Sequence, residues 1–132
     1  MEKNIDFTKC NALVLAYMGD AVIELMARRR VIGDGGLRVN DLNGAARRFV
    51  TAVSQSAAAR RIIPFLTEKE TEMFKYGRNA KSVHVPKNAS AIDYRRATGL
   101  ECLFGYLYFI GNNTRLEELF YAAYKVEDAD DA

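Results

Sequence analysis

The run from Leu13 to Met26 constrains this chain more than any other. It reads Leu-Val-Leu-Ala-Tyr-Met-Gly-Asp-Ala-Val-Ile-Glu-Leu-Met, an apolar helix with one carboxylate, Asp20, where a core residue belongs. Leu13, Ala16, Tyr17 and Glu24 fall on the same side of that helix. An unpaired buried aspartate is costly, so Asp20 requires a partner. A second acid, Glu101, has the same problem inside the apolar run Leu100–Ile110. A divalent cation between the two helices answers both needs. The alternative is that each acid is a satisfied core residue, paired with an arginine or capping a backbone amide.

A chain of 132 residues makes one domain with a real core. Its 49% hydrophobic and 27% charged residues are ordinary for a soluble globular protein. A net charge of +2 is too small to argue for nucleic acid, so that reading depends on where the cations cluster. Cys10 and Cys102 lack CxxC spacing, and Cys102 lies in a core-like run, which suits a reduced intracellular thiol. The N-terminus has no signal-peptide pattern, and the longest uncharged apolar stretch, Cys102 to Ile110, is too short to span a bilayer. The expected location is cytoplasmic.

Helical spacing dominates, and the expected fold class is all-α. The first helix is expected from Asn11 to Arg30, closed by Arg28-Arg29-Arg30 where the helix dipole favours cations. Gly33-Asp34-Gly35-Gly36 makes a loop. A second helix covers Val39 to Phe49 with Asn40 or Asp41 as cap. A third, capped by Ser54, runs from Gln55 to Ile63 and stops at Pro64. Thr67-Glu68-Lys69-Glu70 is a capping box opening a fourth helix to Tyr76. A long helix is expected from Ser90 to Ile110, ending at Gly111-Asn112. A second capping box, Thr114 to Glu117, opens a last helix to Val126. Residues 1–126 form the single domain, and the acidic tail, residues 127–132, is expected to fray.

Magnesium takes hard oxygen ligands, often one or two carboxylates plus waters and substrate phosphates, so Asp20 and Glu101 form a candidate site. Glu24, one turn on, either joins them or lies exposed at the helix edge. The acid-free stretch Gly77–Ala89 carries Arg78, Lys81, His84 and Lys87; the basic loop runs from Lys75 to Lys87, with Arg95 and Arg96 beyond it. Cations without intervening acids suit phosphate contacts, although a charge run this short is commonly just a solvated loop. His84, the sole histidine, has no nucleophile in triad-like context. The aromatics Tyr106, Tyr108, Phe109, Phe120, Tyr121 and Tyr124 have the spacing of core or interface residues.

Tyr17-Met18-Gly19-Asp20-Ala21-Val22 resembles the central signature of the ribonuclease III catalytic domain. Gly77-Arg78-Asn79-Ala80-Lys81-Ser82, Pro86-Lys87-Asn88, Tyr94-Arg95 and Thr98 to Tyr108 resemble its short bacterial branch, Mini-ribonuclease III. The similarity extends from Asn11 to Tyr124. It implies a helical homodimer that uses magnesium to cut double-stranded RNA, leaving a 5′-phosphate and a 3′-hydroxyl. It further implies maturation of the large-subunit (23S) ribosomal RNA precursor, with a large-subunit ribosomal protein as a conceivable presenter of the RNA. No double-stranded-RNA-binding domain is expected after Val126. Asp20 matches the signature aspartate and Glu101 the late metal-binding glutamate. Two further family acids are replaced, one by Ala16 and one by Thr98, as in the Mini branch, so fewer carboxylates hold the metal. Arg78, Asn79, Lys81, Lys87 and Arg95 are the expected RNA contacts. The rival reading is a non-catalytic RNA-binding or ribosome-assembly factor on the same scaffold, and a more distant one is a helical protein-interaction adaptor.

Overall fold

A computed structural model describes residues 10–35, 38–81, 85, 87 and 90–125. Its helices are α1 (Ala12–Gly33), α2 (Val39–Val50), α3 (Ala52–Ile62), α4 (Glu68–Arg78), α5 (Ala91–Phe109) and α6 (Asn113–Ala123), and a 3₁₀ turn, Ile63–Phe65, follows α3. The described residues contain no strand, as the helical spacing implied.

Side-chain caps set most of the helix starts. Asn11 Oδ1 accepts from the Leu13 amide at 2.7 Å, and Ser90 Oγ from Asp93 at 3.3 Å. Thr67 and Glu70 form the expected reciprocal capping box. Three expected caps are corrected. Helix α2 starts after Arg38 with no side-chain cap, and neither Asn40 nor Asp41 plays that part. Helix α3 starts earlier than expected because Thr51 Oγ1 takes the Ser54 amide at 3.2 Å. Helix α6 is capped by Asn112, whose Oδ1 accepts from Arg115 at 3.1 Å, so Thr114 already lies inside the first turn. Gly111, at φ +75°, makes the left-handed turn that closes α5 and delivers Asn112 to that position.

Helix α5 is the axis of the core, buried almost all round from Ala97 to Leu107. Helices α1, α3 and α4 pack around it, and α6 bridges α3 and α5. Two of these contacts are helix backbones in direct apposition. Gly19 and Gly105 form the α1–α5 crossing: a β-carbon at either would overlap the opposing backbone, at Glu101 and at Leu15. Gly77 and Gly99 let α4 and α5 approach in the same way. Gly77 is therefore helical, a correction to the expectation that the irregular segment begins there.

Polar ties hold the periphery. Buried Glu70 receives Nε and Nη2 of Arg115, each at 2.8 Å, while Nη2 also reaches the Phe65 carbonyl at 2.8 Å. Arg115 holds Glu70 below the usual carboxylate range. Arg30 and Arg61 donate to the carbonyls of Tyr124 (2.9 Å) and Ala123 (2.8 Å) at the end of α6. Cys102 is buried, as expected, and burial pushes its thiol up to about 12. No described helix is long and apolar enough to cross a membrane.

On the outer side of α1 an apolar stripe remains uncovered: Val14 (53% exposed), Tyr17 (82%), Leu25 (68%) and Ile32 (56%) share one face. Of the aromatics expected in core or interface, Tyr106, Phe120 and Tyr124 are buried, while Tyr108 and Tyr121 are exposed. Phe120 and Tyr124 pack with Phe49 of α2, at ring separations of 6.1 and 5.1 Å.

Candidate active site and RNA-facing surface

The α1–α5 crossing brings the two sequence-marked acids together. Gly19 lies on the backbone of Glu101, and Asp20 follows Gly19 directly, so its carboxylate comes to the edge of the crossing beside that of Glu101. Asp20 is exposed, not buried, which corrects its reading as a core residue. The smaller Gly19 is the residue that enters the packed seam, and Asp20 is left on the rim. Glu101 is the desolvated member of the pair. Burial, the negative charge of Asp20 and a hydrogen bond between the two carboxyls push it up to about 8. The Gln55 amide, from α3, opposes that rise. Buried Tyr124 is also raised, by burial and by the charge of Glu101, while Arg61 works against this.

Glu24 is half buried and pairs with Arg28 at 3.0 Å. Among the described residues no third acid, histidine or cysteine joins a cluster able to hold a metal. Ala16 and Thr98, at the two positions where the resemblance implied acids, are both buried. Thr98 Oγ1 donates back to the Tyr94 carbonyl at 2.9 Å.

The cationic residues divide between two recesses. Arg78, Asn79, Ile92, Arg95 and Arg96 line one of about 500 Å³, with no acid among them. Arg78 Nε donates to Asn79 Oδ1 at 3.2 Å, and its guanidinium lies 5.9 Å from the Phe74 ring centre. Arg95 reaches the Ala80 carbonyl at 3.5 Å, bracing the chain where it leaves α4. Lys81 lines a second groove of about 750 Å³ with Lys69, Lys75, Tyr76 and one acid, Glu72, which pairs with Lys69 at 3.5 Å. Lys87 is exposed, and His84 lies outside the described residues.

Sequence reasoning passed over Gln55. Its signal was spacing: Gln55, Ser56, Ala58, Ala59 and Ile62 form the inward face of α3, and Gln55 carries the largest polar group there.

Residues 13–112 of this helical domain match the Ribonuclease III domain family, a class of RNA-cleaving hydrolase. Among similar proteins, the Mini-ribonuclease 3 of Symbiobacterium thermophilum is 45% identical over 84% of this chain and 85% of its own length. That of Brevibacillus brevis is 41% identical over 91% of this chain and 90% of its own. That of Clostridium tetani is 46% identical over 86% and 76% respectively. A crystal structure of a protein from Fusobacterium nucleatum superposes with a TM-score of 0.78 at 27% identity, covering 89% of this chain and 93% of that one. This chain belongs to the ribonuclease III family, in its Mini-ribonuclease III branch, and is an endoribonuclease. The non-catalytic readings of the scaffold give way to that finding.

Proposed function

We propose that the protein is a magnesium-dependent endoribonuclease that cuts double-stranded RNA at Asp20 and Glu101 and matures the 23S ribosomal RNA precursor. The observation that carries the cleavage site is the carboxyl pair at the α1–α5 crossing, where burial and the charge of Asp20 both oppose ionisation of Glu101. Two hard oxygen donors under mutual repulsion fit a divalent cation, which neutralises both, and the family is divalent-metal dependent. Asp20 and Glu101 would hold the cation, which when bound supplies positive charge toward a scissile phosphate. Exposed Asp20 faces the incoming backbone, and the more enclosed Glu101 fixes the donor set from behind. Arg78, Asn79, Lys81, Lys87 and Arg95 contact phosphates on either side, and the cut leaves a 5′-phosphate and a 3′-hydroxyl.

The family acts on double-stranded RNA as a dimer, and the uncovered stripe of α1 gives this chain a surface for one. A symmetric homodimer through Tyr17 and Leu25 would cover it and present one site to each strand. Recognition then rests on backbone shape and 2′-hydroxyl contacts.

The deciding experiment incubates purified protein with a long RNA duplex and a 23S precursor stem, with magnesium and with EDTA. Cleavage with magnesium that Asp20→Asn and Glu101→Gln both abolish supports the site. Near wild-type cleavage by either variant overturns it.

A further inference from the structure

The least explained polar group in the core is the amide of Gln55. The residue is 2% exposed, and its Nε2 has no hydrogen-bond partner among the described residues. A buried unsatisfied amide is a cost that native structures rarely leave without a reason. Its surroundings supply one. Helix α3 packs against α5, and the Gln55 amide faces the Glu101 carboxyl, near enough to favour its charged form without meeting hydrogen-bond geometry. Other polar candidates nearby are spoken for or silent: Thr98 donates to its own helix at 2.9 Å, and Ala16 offers no polar atom. Tyr124, which also feels Glu101, donates its hydroxyl to the Phe49 carbonyl at 2.8 Å. Ser56 Oγ is the other buried atom without a partner among the described residues, but of the two only the Gln55 amide acts on the Glu101 carboxyl.

We infer that Gln55 is a positioning residue: its amide takes one oxygen of the Glu101 carboxylate and turns the other toward Asp20, completing a donor set short of acids. In the metal-free arrangement Nε2 has no partner among the described residues. A Glu101 carboxylate turned to ligate a cation gives the amide an anionic acceptor, so part of the binding energy comes from a hydrogen bond absent beforehand. This inference rests on the two-carboxylate reading of the site, and its test separates the two.

The test compares wild type, Gln55→Leu and Gln55→Met, which keep the side chain's volume and remove the amide, with Asp20→Asn as control. The first readout is the magnesium concentration giving half of the maximal rise in melting temperature, which needs no catalysis. The second is the magnesium dependence of duplex cleavage. Outer-shell partners of metal ligands typically change affinity by about 10- to 100-fold. Both Gln55 variants should need at least about tenfold more magnesium in each readout. In EDTA they should melt at or above wild type, since they lose an unsatisfied buried group. An unchanged magnesium midpoint in either variant that melts cooperatively overturns the positioning role and leaves Gln55 a packing residue. A loss of cooperative melting in both variants also overturns it, because the amide would then be holding the fold. If wild type and Asp20→Asn respond to magnesium identically, the two-carboxylate reading fails instead.

Discussion

Gly19 of α1 rests on the backbone of Glu101 of α5, with no space for a β-carbon between them. That apposition fixes how far the Asp20 carboxylate stands from the Glu101 carboxylate, because Asp20 is the next residue along α1. The spacing of the acid pair is thus set by helix packing and not by a loop.

Replacing Gly19 by alanine should force the helices apart and cost about 3 kcal/mol or more. Gly44 makes the opposite case: it lies exposed within α2 with nothing near where its β-carbon would go. Gly44→Ala should stabilise by about 0.5–1 kcal/mol. Denaturant midpoints of the two variants should move in opposite directions, and a Gly19→Ala midpoint equal to wild type would contradict the tight crossing.

The Glu70–Arg115 pair ties the start of α4 to the start of α6, with side chains 7% and 23% exposed. The folded value of Glu70 lies below the ordinary 4.5, so the unfolded chain binds a proton first as the pH falls. The stability it contributes is complete above pH 4.5 and drains away as the pH drops through the lower folded value. Glu70→Gln should cost about 1–3 kcal/mol at pH 7, since it leaves the part-buried Arg115 with only exposed Glu118, at 3.3 Å, and the Phe65 carbonyl as partners. Melting curves should converge with wild type in acid. A constant gap down to pH 2 would mean that the capping box, and not the ion pair, carries the contribution.

Metal removal gives a third test. In EDTA Asp20 and Glu101 oppose one another, and Asp20→Asn removes that repulsion while leaving an exposed, polar side chain. The variant should melt at or slightly above wild type in EDTA and lose most of the rise that magnesium gives wild type. Unfolding of Asp20→Asn in EDTA would instead make Asp20 a structural residue.

Much of this was legible in the residues. Apolar periodicity gave α1 and α5, and the Thr67–Glu70 box and Ser90 gave the starts of α4 and α5, because these are local signals. Asp20 was misplaced for a tertiary reason: periodicity shows that Asp20 borders the apolar face, but only the α5 backbone against Gly19 decides which neighbour enters the seam. Gln55 was missed because it sits among Ser54, Ser56, Arg60 and Arg61 in α3, and nothing local marks which of these polar residues faces inward. The caps at Thr51 and Asn112 were missed because Ser54 and Thr114 are equally good cap residues a few positions on, and the turn geometry before them decides.

The proposed dimer would use the α1 stripe. Leu25 is 68% exposed, so Leu25→Asp should barely change the stability of an isolated chain. In a symmetric interface the same substitution buries two like charges near each other, and should dissociate it. Sedimentation at micromolar concentration should find wild type dimeric and Leu25→Asp monomeric with an unchanged helical spectrum. A monomeric wild type would remove the dimer and, with it, paired cutting of both strands.

In the proposed RNA complex, the grip would fall to the two lysine- and arginine-bearing recesses. Overall charge of +2 supplies little attraction, so affinity has to come from local clusters. Arg96 lines the acid-free recess with Arg78 and Arg95, and Lys81 lines the second, larger groove. Arg95 also holds the Ala80 carbonyl, so its removal mixes binding with local structure. Arg96 and Lys81 are the cleaner probes. Removing one cation that meets a phosphate should lower the slope of log affinity against log salt by about one unit, whatever the RNA sequence. Arg96→Ala and Lys81→Ala should each weaken duplex binding, flatten that slope, and shift the melting temperature little. Binding titrations at several salt concentrations decide it: an unchanged slope in the double variant places the RNA on another face and leaves these cations as ordinary solvated charges.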